Sequence, residues 1–184
     1  MNRNISVAAA LVAAVAFGAV GAAAHEGATG IVKERMDAMD DVAKAMKSIA
    51  AMLRGKEPYR TEKVKSLARS IEGHGGEALT RLFPEGSLQH PTGAQPSIWT
   101  DWNRFQDLAE QLSARAGDLA AAADNPRRGT MSGGPGMHGG RGMMDGGGKA
   151  GAGSEMRAVM PPDAAFEHLT RTCVACHRDF RKKR

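Results

Sequence analysis

Aromatic residues are scarce in this chain: five Phe, two Trp and one Tyr make up 4% of its 184 residues. Such side chains can therefore supply little of a core's volume. Segments with the two-residue alternation of half-buried strands are nearly absent, which points away from sheet architectures. Cysteine occurs only at positions 173 and 176. Two thiols are too few for a thiolate zinc site, and the parallel sheet that would carry a thioredoxin-like dithiol is missing. No charge sign is in large excess either. The formal net charge of +5 is no nucleic-acid signature, although basic residues gather in the final Arg178-Asp179-Phe180-Arg181-Lys182-Lys183-Arg184.

The long apolar run lies at the N-terminus. Arg3 gives a positive start, Ile5 to Val20 is apolar, and Ala22-Ala23-Ala24 supplies the small residues of a cleavage site. Residues 1–24 thus read as a secretory signal peptide, the run being short for a bilayer span. The expectation is an exported mature chain, residues 25–184, starting at His25 and without a membrane span after cleavage. Its roughly 160 residues suffice for one domain with one core. Removing Arg3 takes the charge from +5 to +4.

Four stretches carry helical periodicity. From about Gly30 to Leu53 the apolar positions are Val32, Met36, Met39, Val42, Met46, Ile49 and Leu53, and Gly55 and Pro58 end the pattern. From about Thr61 to Leu82 they are Val64, Leu67, Ile71, Ala78 and Leu82, with His74 on the same stripe. Gly73, Gly75 and Gly76 predict a bend or break there. Residues 83–97 form a Pro- and Gly-rich connection that ends on Ser97, placed as an N-cap. A third helix, to about Ala123, repeats Ile98, Trp102, Phe105, Ala109, Leu112, Ala116 and Leu119 at heptad positions a and d. The fourth spans about Asp163 to Arg181 and carries Phe166, Leu169, Cys173, Cys176, His177 and Phe180 on its stripe. Amphipathic helices of this kind predict an all-α, antiparallel four-helix bundle.

Cys173-Val174-Ala175-Cys176-His177 carries the chemistry. A CxxCH run in an exported chain marks covalent attachment of haem c, the thiols adding to the haem vinyl groups. On a helix, positions 173, 176 and 177 share one face, so the imidazole of His177 can reach the iron on the side where the thioethers fix the porphyrin edge. A large flat cofactor between helices would also replace the missing aromatic volume. Its two propionates would bring the net charge from +4 to +2.

Several segments together resemble the class II c-type cytochromes, the cytochrome c′ family. These are the run from Cys173 to Arg181, Ile98-Trp99-Thr100-Asp101-Trp102-Asn103-Arg104-Phe105, Leu82-Phe83-Pro84-Glu85-Gly86-Ser87, and Arg35-Met36-Asp37-Ala38-Met39. The resemblance implies a sixth iron position four residues after the first-helix arginine, which points from Arg35 to Met39. Members with methionine there are low-spin and mainly transfer electrons. Members with an apolar residue there are high-spin and bind nitric oxide or carbon monoxide. Met39 is thus the candidate ligand opposite His177, although Met36 and Met46 share its stripe and a core methionine is the plain alternative. Arg35 is the candidate partner of a haem propionate, against the simpler reading of a solvated arginine. Trp99, Trp102 and Phe105 fit either a haem pocket or bundle packing, and Phe180 falls one turn after His177. Homodimers are common in the family and one is an expectation here.

The expected function is periplasmic electron transfer by Fe(III)/Fe(II) cycling, without a substrate or enzymatic activity, with a basic C-terminus meeting an acidic redox partner. Gas binding at an open sixth position is the alternative. A third reading comes from residues 129–153, where 12 of 25 residues are Gly and Met131, Met137, His138, Met143 and Met144 could bind Cu(I). That insert has no apolar stripe and cannot build core. Replacing residues 129–153 by a short Gly-Ser linker should leave the haem spectrum and thermal midpoint nearly unchanged, since loop closure changes by only about 0.6 kcal/mol per doubling of length. A large loss of haem or stability in that variant would show that the insert packs on the bundle.

Overall fold

A computed structural model of the chain describes residues 28–88, 92–128 and 160–183. Residues 1–24 and 129–153, assigned above to a signal peptide and an insert, lie outside the described residues. The helical elements are α1 (Gly30–Leu53), α2 (Thr61–Gly73), α3 (Glu77–Thr80), α4 (Ser97–Thr100), α5 (Trp102–Ala122) and α6 (Pro162–Phe180). They form four arms of an all-α bundle: α1, then α2 with α3, then α4 with α5, then α6. No strand occurs among the described residues, and Ala94 and Arg181 form an isolated antiparallel bridge. No described helix is long and apolar enough to cross a membrane.

α5 is the hub, with α2 packed along one side and α6 along another, while α1 lies against α2. The heptad positions account for this. Phe105, Ala109, Leu112, Ala116 and Leu119 are all buried, and the alanines let the neighbouring helices approach closely. Ile49 and Met52 of α1, Val64, Ala68 and Ile71 of α2, and Leu169 of α6 complete the core. Each large aliphatic side chain removed from water contributes about 1.5–3 kcal/mol. Pro162 opens α6 at a position where a missing N–H costs nothing, Asp163 follows in the first turn, and His177 and Arg178 occupy the last.

The glycines at 73–76 end α2 as expected, with a consequence for phase. Beyond the break the buried residue is Leu79, and the expected Ala78 is only half-buried. Contact with α5 enforces the break. The Gly76 N–H donates to the Ala109 carbonyl at 2.7 Å, an acceptor on another helix, and Gly76 has φ +56°. Ser97 also departs from expectation. It is the first residue of α4 and makes no capping bond. Its hydroxyl instead donates to the Asp179 carbonyl at the end of α6 (3.1 Å). The third helix is likewise interrupted, at Asp101 (φ −128°, ψ 51°).

A Cβ at Gly75 would stand 2.5 Å from the Ser113 backbone nitrogen and 2.8 Å from its Cα, whereas one at Gly73 would meet nothing within 4 Å. Gly75→Ala must therefore push α2 away from α5. It should destabilise the haem-loaded protein by about 1–3 kcal/mol in guanidinium unfolding. Gly73→Ala should be neutral or stabilising by up to about 1 kcal/mol.

Candidate functional site

A cavity of about 820 Å³ opens between α1, α5 and α6, a size suited to an organic cofactor. α1 contributes Arg35, Met36, Met39, Val42 and Met46, and α5 contributes Phe105, Leu108 and Leu112. Thr172, Cys173, Cys176, His177 and Phe180 of α6 form a further wall. Leu79, Phe83, Ile98 and residues 92–94 and 181–183 also line it. All five site residues named from the sequence, Arg35, Met39, Cys173, Cys176 and His177, thus meet at one cavity, together with Met36 and Met46.

The α6 wall follows from helical spacing. Cys173 and Cys176 are half-buried with free thiols, while Val174 between them points away and is 61% exposed. Burial raises the Cys173 pKa. Burial, then the neighbouring Cys173 and Asp179, push Cys176 up to about 11. A redox dithiol needs the opposite shift, toward thiolate, so the pair is poorly suited to disulfide exchange. Among the described residues no three His, Cys, Asp or Glu side chains group as a metal site. Burial and then the charge of Arg181 pull the His177 pKa below its ordinary value. That direction favours the uncharged imidazole, the form that can ligate a metal.

Arg35 on the α1 wall is not solvated: it is only 4% exposed. Its Nη2 donates to the Ser87 carbonyl at 2.7 Å and to the Ser87 hydroxyl at 3.0 Å, and its guanidinium lies 4.4 Å from the Phe83 ring centre. Nε and Nη1 are buried without an acceptor. A buried cation with unfilled donors suits an anionic group such as a carboxylate. Burial also lowers the Arg35 pKa.

The aromatic residues divide. Phe105 lines the cavity and meets Phe83 (4.9 Å between centroids) and Phe180 (5.4 Å) edge-on. Trp99 and Trp102 instead border a small outer groove with Phe83, Pro84 and Glu85. There the Trp99 indole donates to the Phe83 carbonyl at 3.0 Å. Their role is packing around the pocket. His74 caps the end of α2 and His168 is exposed on α6; neither lines the cavity. Sequence periodicity missed Ser87 and the clamp at the C-terminus of α6. In that clamp Gln95 N–H donates to the Phe180 carbonyl at 2.9 Å and Lys182 N–H to the Gly93 carbonyl at 2.8 Å. The copper-site candidates of the insert, Met131, Met137, His138, Met143 and Met144, lie outside the described residues.

Two thiols at i, i+3, an adjacent neutral imidazole, thioethers on the α1 wall and a buried guanidinium with open donors form a residue set that fits haem c. The comparisons agree. A family model described as cytochrome c′ matches residues 30–134. Cytochrome c-556 from Agrobacterium tumefaciens (strain II Chrys) is 25% identical over 155 residues, which span 84% of this chain and 99% of that protein. Cytochrome c′ from Rhodopseudomonas palustris (strain ATCC BAA-98 / CGA009) is 36% identical over 90 residues, 48% of this chain and 60% of that one. A solved structure of cytochrome c′ from Rhodopseudomonas palustris shares the fold, with a TM-score of 0.60 and 22% identity over 85% of this chain and 99% of that chain. The chain belongs to the cytochrome c′ family, the class II c-type cytochromes, four-helix bundles that carry one covalent haem c.

Proposed function

We propose that the protein is a periplasmic electron carrier whose haem is held by Cys173 and Cys176 and ligated by His177 and Met39. The observation that carries this reading is that α1 and α6, far apart in sequence, deliver Met39 and His177 to the same cavity. Met36 and Met46 line it as well. Met39 is preferred because the family resemblance places the sixth position four residues after Arg35.

When bound, the haem supplies a one-electron Fe(III)/Fe(II) couple. The chain's own residues set the conditions. The two cysteines fix the porphyrin edge on α6 through thioether bonds. His177 offers a neutral imidazole, because burial and Arg181 disfavour its charged form. Met39 lines the cavity and would offer its thioether to the iron, which would raise the potential. Arg35 meets a propionate with the N–H groups that lack acceptors. Val42, Phe105, Leu108 and Leu112 keep the surrounding wall apolar, which holds water away. Arg181, Lys182 and Lys183 line the cavity from the chain end and give its rim a positive field for an acidic redox partner. Residues 1–24 would direct export, and the carrier role involves no substrate turnover.

Met39→Leu separates electron transfer from gas binding. The change keeps side-chain volume and should cost less than about 1.5 kcal/mol of stability. The wild type should be low-spin in both oxidation states and bind carbon monoxide slowly. The variant should become high-spin, take up carbon monoxide readily and show a lower reduction potential. A high-spin wild type that binds carbon monoxide at once would make the protein a gas binder with an open sixth position. A variant that stays low-spin would transfer the ligand role to Met36.

A further inference from the structure

Among the described residues Arg35 is held in place without a carboxylate, and both oxygens that hold it belong to one residue. Ser87 lies 52 positions away in the connection after α3, yet it is only 7% exposed. Its carbonyl and hydroxyl accept from Nη2 at 2.7 and 3.0 Å, which accounts for the two N–H groups that this nitrogen carries. Phe83 in the same connection covers the guanidinium at 4.4 Å. The loop that brings these groups together is braced. The Ser87 N–H donates to the Pro84 carbonyl at 3.1 Å. Gly86 takes φ +79°, a left-handed conformation natural to glycine. Phe83 is tied to α4 by the Trp99 indole at 3.0 Å and to α5 by the ring of Phe105.

A guanidinium is a rigid planar fork. With both N–H groups of Nη2 engaged and one face against an aromatic ring, its plane cannot swing. We propose that Ser87 is a positioning residue for Arg35, fixing the guanidinium so that Nε and Nη1 are kept for an anionic substituent of the group bound in the cavity. The inference rests on the reading that Arg35 pairs with a haem propionate. It adds that the loop carrying Phe83 and Ser87, and not α1 alone, sets the strength of that pairing. Without the Ser87 hydroxyl one N–H of Nη2 loses its acceptor, and the guanidinium can turn toward the Ser87 carbonyl or rock away from the pocket.

The test is the pH dependence of the reduction potential, measured by spectroelectrochemistry on haem-loaded wild type, Arg35→Leu, Ser87→Ala and Ser87→Thr. A guanidinium partner favours the ionised propionate and lowers its pKa. Weakening the pair therefore moves the propionate-linked step in potential to higher pH. The other charged groups lining the cavity, Asp40 on α1 and Arg181, Lys182 and Lys183 beyond α6, are unchanged in all four proteins. Arg35→Leu should shift the step upward, Ser87→Ala should shift it upward part of the way, and Ser87→Thr, which keeps a hydroxyl, should restore the wild-type profile. A shifted Arg35→Leu beside an unshifted Ser87→Ala would overturn the positioning role and leave the propionate reading intact. No shift in Arg35→Leu would overturn the propionate reading and the positioning role with it. Should Ser87→Ala fail to load haem, Ser87→Gly, which also lacks the hydroxyl, decides: an upward shift supports the role, and a wild-type profile beside a shifted Arg35→Leu overturns it.

Discussion

Burying a guanidinium is expensive unless its donors are filled, the effective penalty reaching several kcal/mol. Arg35 is almost wholly buried and directly borders the cavity. Much of the pocket's construction can be read as a response to that charge. The connection after α3 folds inward to offer two oxygens of Ser87, a left-handed Gly86 makes the turn, and Phe83 supplies an aromatic face in place of water. What the described residues do not supply is an acceptor for Nε and Nη1. Under the proposed function an anion on the cofactor would satisfy that remainder, which would join cofactor binding and the packing of α1 against the loop into one problem.

The helices divide the work. α5 is buried along its length, its heptad holds α2 and α6 in place, and Phe105, Leu108 and Leu112 also face the cavity. α1 and α6 each serve two masters. On α1, Ala45, Ile49 and Met52 are buried in the bundle, while Met36, Met39, Val42 and Met46 line the cavity. On α6, Leu169 packs at 0% exposure and the next turns carry the cysteines and histidine. The end of α6 is secured by bonds that take its last carbonyls: Ser97 on Asp179, and Gln95 on Phe180 and Arg181. These bonds give α6 rigidity at the end nearest its cysteines and histidine, where fraying would otherwise begin.

Much of this was legible in the sequence because it is periodic or local. The α5 heptad, the glycine break after α2 and the CxxCH spacing depend on residues within a turn or two of one another. Where expectation failed, a distant partner had intervened. Ala78 gave way to Leu79 because contact with α5 resets the phase after Gly76. Ser97 serves the end of α6 instead of its own helix, a choice that propensity cannot reveal. Ser87 looked like one more residue of a Pro- and Gly-rich connection, since nothing near it in the sequence signals a bond across 52 positions to Arg35. Trp102 lay on the heptad like Phe105, but of these two only Phe105 reaches the cavity.

The central claim is that the α6 cysteines carry the haem, and it can be tested on a single peptide. Trypsin cleavage after Arg171 and Arg178 releases Thr172-Cys173-Val174-Ala175-Cys176-His177-Arg178. Mass spectrometry of that peptide, from protein produced with export and haem attachment intact and extracted with acid acetone, should show the mass of one haem added through both thiols. A peptide found only at its bare mass, with the haem recovered in the acetone, would contradict the account.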